Sequence, residues 1–432
     1  MDDYGRVRAE SAVSLPAPIV RQPGHVEQTP NLWWQALVQA LRVMRSRLPN
    51  GGLPVSLALD GTSGTLLLAD TDGNPLLPAL LYSDQRAVTQ ADRIASIAPA
   101  TSGALGATSA LAKLLWLLEK VEKTGTLALH QADWLLGKLG APWGISDENN
   151  ALKLGYDPIS RTWPRWIDAL DIPRYILPEV VEPGTPIATI NKQVAMELRL
   201  PSDLVLVAGT TDSVAGFLAT GASEFGEGVT SLGSSLALKV LSHSPVFVPE
   251  MGIYSHRLGG QWLAGGASNT GGLVLKAYFS DEQITAYSKG IMPDRPTGLN
   301  YYPLLTPGER FPVSDPYLPP RLTPRPADDA RFFQAILEGI ASIEALGYTR
   351  LAEAGADRII RVRSMGGGAA NGNWTRIRER LLGVPVLPAR YPQAAYGAAL
   401  LARTGYMSLS HQSWTGGWGA MKLAIKPPSL MP

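Results

Sequence analysis

Residues 207–216, Val-Ala-Gly-Thr-Thr-Asp-Ser-Val-Ala-Gly, constrain this chain more than any other stretch. An apolar strand runs into a turn of small residues and then into an Ala/Gly-rich segment. Side chains this small let a backbone come close to a ligand or to another strand. The turn presents one carboxylate, Asp212. From the residues alone two readings stand side by side. Asp212 caps the helix that follows, or it takes a proton from a substrate hydroxyl.

At 432 residues the chain exceeds one ordinary core and is expected to form two domains. With 45% hydrophobic and 17% charged residues it reads as globular. A net charge of +1 gives no whole-chain attraction for nucleic acid, an anionic membrane or an acidic partner. The absence of cysteine excludes disulfides, thiolate nucleophiles and Cys-based zinc sites, and fits a reducing compartment. The histidines (His25, His130, His243, His256, His411) are far apart without metal-ligand spacing, so no residue is assigned to a metal. Neither a P-loop nor a dinucleotide fingerprint is present. The most apolar stretch, 204–222, is interrupted by Asp212 and rich in Gly and Thr, and does not read as a membrane span. The opening Met-Asp-Asp-Tyr-Gly-Arg is unlike a signal peptide.

Strands and helices alternate along the chain. Trp33, Leu37, Leu41, Met44 and Leu48 recur at helical spacing over 31–48, entered through Thr29-Pro30. Strands are expected at 55–59 and 65–69, a helix at 111–122, and an irregular insertion over 141–200. Further strands are expected within 229–240, 251–257 and 261–265, with Gly259-Gly260 as a hairpin turn. A Pro-rich connector near 303–326 leads to a helix at 330–354, a strand at 359–363 and helices at 373–383 and 393–404. The break between two similar halves falls near Gly221–Gly228, which gives domains 1–222 and 223–432. The Pro/Gly-rich tail after Trp414 is expected to lie at the surface.

Three glycine turns follow apolar runs in the second half: Gly233-Ser234-Ser235, Gly265-Gly266-Ala267-Ser268-Asn269-Thr270, and Gly366-Gly367-Gly368-Ala369-Ala370-Asn371-Gly372-Asn373-Trp374. Backbone amides in such turns cradle anions without lysine. Asn371 adds a polar handle and Trp374 an apolar or stacking surface for a flat base. Together with Asp212 they point to a nucleotide in a cleft between the halves.

These residues resemble the FGGY carbohydrate kinases. Ala208 to Ser213 is similar to that family's catalytic-aspartate turn, Ser231-Leu232-Gly233-Ser234-Ser235 to its phosphate turn, and Gly366 to Ala369 with Asn371 and Trp374 to its adenosine motif. Ala394 to Ala399 resembles the helix that follows. Asp60 to Thr65 and Tyr82-Ser83-Asp84-Gln85-Arg86 occupy the sugar-side positions. Ser109 to Glu119, with Lys113 and Trp116, is close to the family signature but misses some positions. The resemblance spans nearly the whole chain and is strongest toward the cyanobacterial and plant branch of xylulose or ribulose kinases.

The resemblance implies an α/β fold of two actin/hexokinase/Hsp70-like (ribonuclease H-like) domains around a ligand cleft. It implies phosphorylation of a ketopentose by ATP with Mg²⁺, D-ribulose favoured over D-xylulose, and Asp212 as general base. Ser63, Asp84 and Arg86 would contact the sugar or shape its pocket. Gly233, Ser234 and Gly266 would cradle phosphates, and Gly367, Gly368, Asn371 and Trp374 would hold adenosine. Mg²⁺ would be carried mainly by ATP and water. The partners are small molecules, the assembly a monomer or homodimer, and the location cytoplasmic, with a plastid left open if a segment precedes Met1.

One departure from the family pattern stands out. Family members open with a strand and an Asp-x-Gly-Thr phosphate turn, whereas Met1 to Val7 resembles the turn after the second strand. The expectation is an upstream start, since the later motifs are intact. The alternative is a degenerate relative that binds sugar or nucleotide without phosphoryl transfer. A cofactor-free hydrolase built on Asp212 and Ser234 has no His or Lys base to support it.

Overall fold

The computed structural model describes residues 1–49 and 52–410, so the tail after Trp414 and His411 lie outside the described residues. The chain forms two compact units. Unit 1 comprises residues 1–218 with 257–260 and the helix that begins after Gln393, and unit 2 comprises 219–256 with 261–392.

Unit 1 begins with β1 (Ile19–Gln22), β2 (His25–Gln28), α1 (Pro30–Arg47), β3 (Ser56–Gly61), β4 (Leu66–Asp70) and β5 (Ala79–Leu80). It continues with α2 (Val88–Ala95), α3 (Ala110–Leu118), β6 (Thr126–His130), α4 (Gln131–Leu139), β7 (Ile145–Asp147) and α5 (Glu148–Ala151). Then come β8 (Glu179–Val181), β9 (Pro186–Thr189), α6 (Lys192–Leu198), β10 (Val205–Thr211) and α7 (Asp212–Ala219). The expected insertion at 141–200 is therefore a series of short elements. The strands form sheets in the order β1-β2-β5-β4-β6, β3-β10-β9 and β7-β8.

Pro30 opens α1, where its missing N–H is not needed. Ser109 caps α3 by accepting the amide of Ala112 at 3.1 Å. That helix ends at Leu118 rather than the expected Glu122, because its apolar run stops there. Every residue of β10 is buried. The parallel β3–β10 register slips by one residue between Val207 and Thr210. Gly209 lies in the slip, and a Cβ on it would sit 1.6 Å from the carbonyl oxygen of Leu59. Only glycine admits so close an approach, and such a bulge re-aims the residues that follow it.

Unit 2 contains β11 (Glu227–Leu232), β12 (Leu236–Ser242), β13 (Tyr254–Leu258, whose last two residues are grouped with unit 1), β14 (Gln261–Ser268), α8 (Gly272–Tyr278) and α9 (Asp281–Gly290). These are followed by α10 (Asp329–Glu353), β15 (Arg361–Met365), α11 (Gly372–Leu382) and β16 (Val386–Pro388). One six-stranded sheet runs β13-β14-β12-β11-β15-β16. The β11–β15 and β15–β16 pairs are parallel. α10 covers the core with Phe332, Phe333, Ile336 and Ile340.

The last helix, α12 (Ala394–Ser410), belongs by contact to unit 1, although the linear division at 222/223 assigned it to the second half. Its glycines explain the placement. A Cβ on Gly397 would lie 1.9 Å from the carbonyl oxygen of Ala215, and one on Gly405 2.7 Å from that of Gly184. Among the described residues no helix is long and apolar enough to cross a membrane.

Candidate active site

In unit 1, β3 and β10 end side by side, with Thr210 opposite Asp60 and Thr211 opposite Gly61. Asp212 follows as the first residue of α7. It is exposed, and its Oδ1 accepts the amide of Ser213 at 2.7 Å. Asp60, which the sequence reading placed only within a sugar-side turn, is a second carboxylate at this end. Burial, then repulsion from Asp212, raises its pKa to about 6.

The turn after β3 is held from several sides. The amide of Thr62 donates to Gln131 Oε1 at 3.0 Å, and the hydroxyls of Thr62 and Thr65 lie 2.6 Å apart. Ser63, expected at the sugar, has a buried Oγ with no hydrogen-bond partner in the chain. Nearby, Asn149 of α5 donates to Thr210 Oγ1 at 3.0 Å while its own Oδ1 is buried and unpartnered. Asn149 came from no sequence signal, since a buried Asn in a mixed segment has no motif around it.

Asp84 and Arg86 have other employment. Arg86 donates to Asp84 through Nε and a terminal nitrogen (2.8 Å) and to Glu27 at 3.1 Å, with its guanidinium 5.0 Å over Trp116. Asp84 Oδ2 also accepts the amide of Val26 at 2.6 Å. Two groups that saturate each other in this way brace β2 against α3. Of the two roles expected for them, shaping the pocket is the one this geometry suits.

In unit 2, the parallel pairing of Ser231 with Met365 brings two glycine turns to one end of the sheet. A Cβ on Gly366, whose φ is +84°, would lie 2.7 Å from the carbonyl oxygen of Leu232. Gly233 and exposed Ser234 are thus beside Gly366 to Gly368, at the carboxyl ends of parallel strands where ligands bind in α/β sheets. A pocket of about 710 Å³ adjoins them, lined by Gly367, Gly368, Asn371, Ser288, Lys289 and Arg376 among others. The two cations were not foreseen from sequence: Lys289 is on α9, which carries no motif, and Arg376 is on α11 just beyond the glycine motif, where it pairs with Asp294.

Three residues expected at the nucleotide in this half also have partners or packing roles inside the chain. Trp374 lines the same pocket but is only 3% exposed, and it donates its indole N–H to the carbonyl oxygen of Leu337 at 3.1 Å. Gly368 makes room for it, since a Cβ there would fall 2.5 Å from the Trp374 ring. The Asn371 side chain is spent on capping α11, accepting the Trp374 amide at 3.0 Å and donating to Ser288 Oγ at 2.9 Å. Gly266 lies buried inside β14, paired with Leu238, where a Cβ would meet the Phe311 ring at 2.8 Å. It is a packing glycine, not part of a phosphate turn.

The N-terminal domain of the FGGY family of carbohydrate kinases matches residues 1–219, and the C-terminal domain of that family matches residues 228–406. The chain belongs to the FGGY family of carbohydrate kinases. FGGY kinases are phosphotransferases, and the two-domain α/β fold here is the actin/hexokinase-like fold of that family. The xylulose kinase of Staphylococcus xylosus is 23% identical over 405 residues, covering 88% of this chain and 83% of the relative. The glycerol kinase of Aromatoleum aromaticum is 29% identical over 94% of this chain and 86% of its own length. The crystal structure of a xyloylose kinase from Brucella ovis superposes with a TM-score of 0.81 at 22% identity, over 90% of this chain and 84% of that one. For an FGGY kinase the carboxylates and unpartnered polar atoms of unit 1 suit a polyhydroxylated substrate, and the open glycine turns of unit 2 suit a phosphorylated one.

Proposed function

We propose that this FGGY kinase transfers the γ-phosphoryl group of ATP to the primary hydroxyl of a ketopentose, D-ribulose in preference to D-xylulose. The observation that carries the reading is Asp212: an exposed carboxylate at the head of α7, in the unit that also holds the unpartnered Ser63 Oγ and Asn149 Oδ1. Relatives named xylulose kinases support a ketopentose. The preference for ribulose rests on the sequence's resemblance to the cyanobacterial and plant branch.

Asp212 takes the hydroxyl proton as the sugar oxygen attacks the γ-phosphorus. The bond from the γ-phosphorus to the β,γ-bridging oxygen breaks, and ADP leaves with the electron pair. The hydroxyl of Ser63 and the amide oxygen of Asn149 are an available donor and acceptor for sugar hydroxyls. For the nucleotide, the donor set fits: exposed Ser234, the bare backbone of Gly367, where a Cβ would meet nothing, and Lys289 and Arg376 at the pocket. Mg²⁺, carried by the phosphates and water, would supply charge neutralisation, and the exposed Asp212 oxygens are hard donors of the kind it accepts.

The test is ADP release with D-ribulose, D-xylulose, glycerol and gluconate as acceptors. D-ribulose is expected to give the highest kcat/KM. Asp212→Ala is expected to lower kcat by about 10²–10⁴ with nucleotide Kd unchanged. Full turnover in that variant, or no turnover of any ketopentose by the native chain, would overturn the reading.

A further inference from the structure

Lys113 lies in the middle of α3, in the run Ala-Leu-Ala-Lys-Leu-Leu-Trp-Leu-Leu, and is fully buried. Its Nζ donates to the carbonyl oxygen of Gly64 at 2.7 Å and to that of Thr108 at 3.0 Å. Lys153, on the helical turn 152–154, approaches the same turn, with Nζ 3.5 Å from the carbonyl oxygen of Ser63 and Cδ packed against Gly64. Two ammonium groups therefore converge on consecutive carbonyls of one turn. Neither forms an ion pair among the described residues. Burial, then Lys153, lowers the pKa of Lys113 to about 7, against an opposing pull from Asp84.

A buried ammonium without a carboxylate partner is an expensive way to fill a helix face, and an apolar residue of similar length would stabilise the core better. What the lysine supplies and a methionine cannot is a directed N–H bond to a main-chain carbonyl. The first of the two clamped carbonyls is that of Ser63 itself, whose buried Oγ has no partner in the chain, and Gly64 lies between the two clamped peptide planes.

We infer that Lys113 and Lys153 form a clamp that fixes the Ser63–Gly64 turn so that the Ser63 hydroxyl is aimed at the sugar. Lys113 is in this sense a positioning residue acting through Ser63. The inference rests on the proposed sugar-kinase reading for its functional consequence.

The experiment is a double-mutant cycle of Lys113→Met and Ser63→Ala on the full chain, with KM for D-ribulose, KM for ATP and kcat measured for each. Lys113→Met is expected to raise the sugar KM by about tenfold, leave the ATP KM within about twofold, and add little in the Ser63→Ala background. Additive effects, equal effects on both KM values, or an unchanged sugar KM would overturn the clamp. If Lys113→Met does not fold, Lys153→Met tests the same turn, with a rise of about threefold in sugar KM as the expected outcome and no rise as the overturning one. Should the native chain turn over no ketopentose, the failure lies in the functional reading. Amide hydrogen exchange at Ser63, Gly64 and Thr65 then decides the clamp separately: faster exchange in the lysine variants supports it and unchanged exchange refutes it.

Discussion

Asp60 stands opposite Thr210 on the neighbouring parallel strand, two residues short of Asp212, so two carboxylates share one end of the β3–β10 pair. Burial and the charge of Asp212 raise the pKa of Asp60 from 3.8 to about 6 in the folded chain. A carboxyl raised in this way is fully tolerated below its unfolded value and destabilises as pH climbs through its folded value. Asp60→Asn should therefore match the native chain near pH 4 and exceed it by about 1–3 kcal/mol above pH 6, as read from urea melts across that range. The kcat/KM profile of the native enzyme is expected to show an inflection near pH 6, and that of the variant to lack it.

Lys113 has the opposite sign. Its pKa falls from 10.5 in the unfolded chain to about 7 when folded, through burial and then Lys153, with Asp84 pulling the other way. The folded state then binds fewer protons than the unfolded one between those values, so native stability should rise as pH goes from 7 toward 10. Lys113→Met removes that dependence. Thermal melts at pH 7 and pH 9 should differ less in the variant, by on the order of 1–3 kcal/mol.

Gly209 fixes how closely β10 lies on β3. Adding a methyl 1.6 Å from the Leu59 carbonyl oxygen forces the strands apart, so Gly209→Ala should lose about 2–4 kcal/mol. Since Asp212 emerges three residues beyond the bulge, kcat should drop more than nucleotide affinity does. Chemical denaturation with parallel kinetics checks both.

The Val207–Gly216 stretch was legible because its signal is local: an apolar run, small residues and one carboxylate in order. The helix 30–47 and the parallel ends at Gly233 and Gly366 were legible for the same reason. Asp60 was not, because its meaning comes from pairing with β10, a strand far along the chain, and its Gly-Thr context resembled a simple turn. Lys113 stood out in sequence as a signature position, yet its bond to Gly64 depends on how α3 packs. Trp374 stood out because an indole beside a glycine turn suggests stacking, while its bond to the Leu337 carbonyl of α10 depends on packing that no local pattern encodes. The placement of α12 with unit 1 depends on contacts at Gly397 and Gly405 that no local pattern encodes.

Trp374 can be tested as a packing residue against a stacking one. Trp374→Phe loses the bond to Leu337 and part of the buried ring, and should cost about 1–3 kcal/mol while ADP affinity changes less than about threefold. A large loss of ADP binding in a stable Trp374→Phe protein would assign the ring a stacking role.

Beneath the turns at Gly233 and Gly366 lies a fully buried ion pair. Arg378 donates to both carboxylate oxygens of Glu344 at 2.6 and 2.7 Å and to Ser364 Oγ at 2.6 Å, while Glu344 also accepts the Thr230 hydroxyl at 2.6 Å. Thr230 belongs to β11 and Ser364 to β15, the strands that end in the two glycine turns. Breaking one side leaves a buried charge without its partner, so Arg378→Met alone should cost about 3–5 kcal/mol. Replacing both, as Arg378→Met with Glu344→Leu, should recover much of that loss, because the desolvation cost vanishes with the charges. The double variant still lacks the bonds that tie β11 to β15, so its ADP affinity should stay below the native value even where its stability is restored. Calorimetric titration with ADP on the single and double variants separates the two contributions: stability returning without affinity is the expected result, and both returning together would assign the network to the core alone.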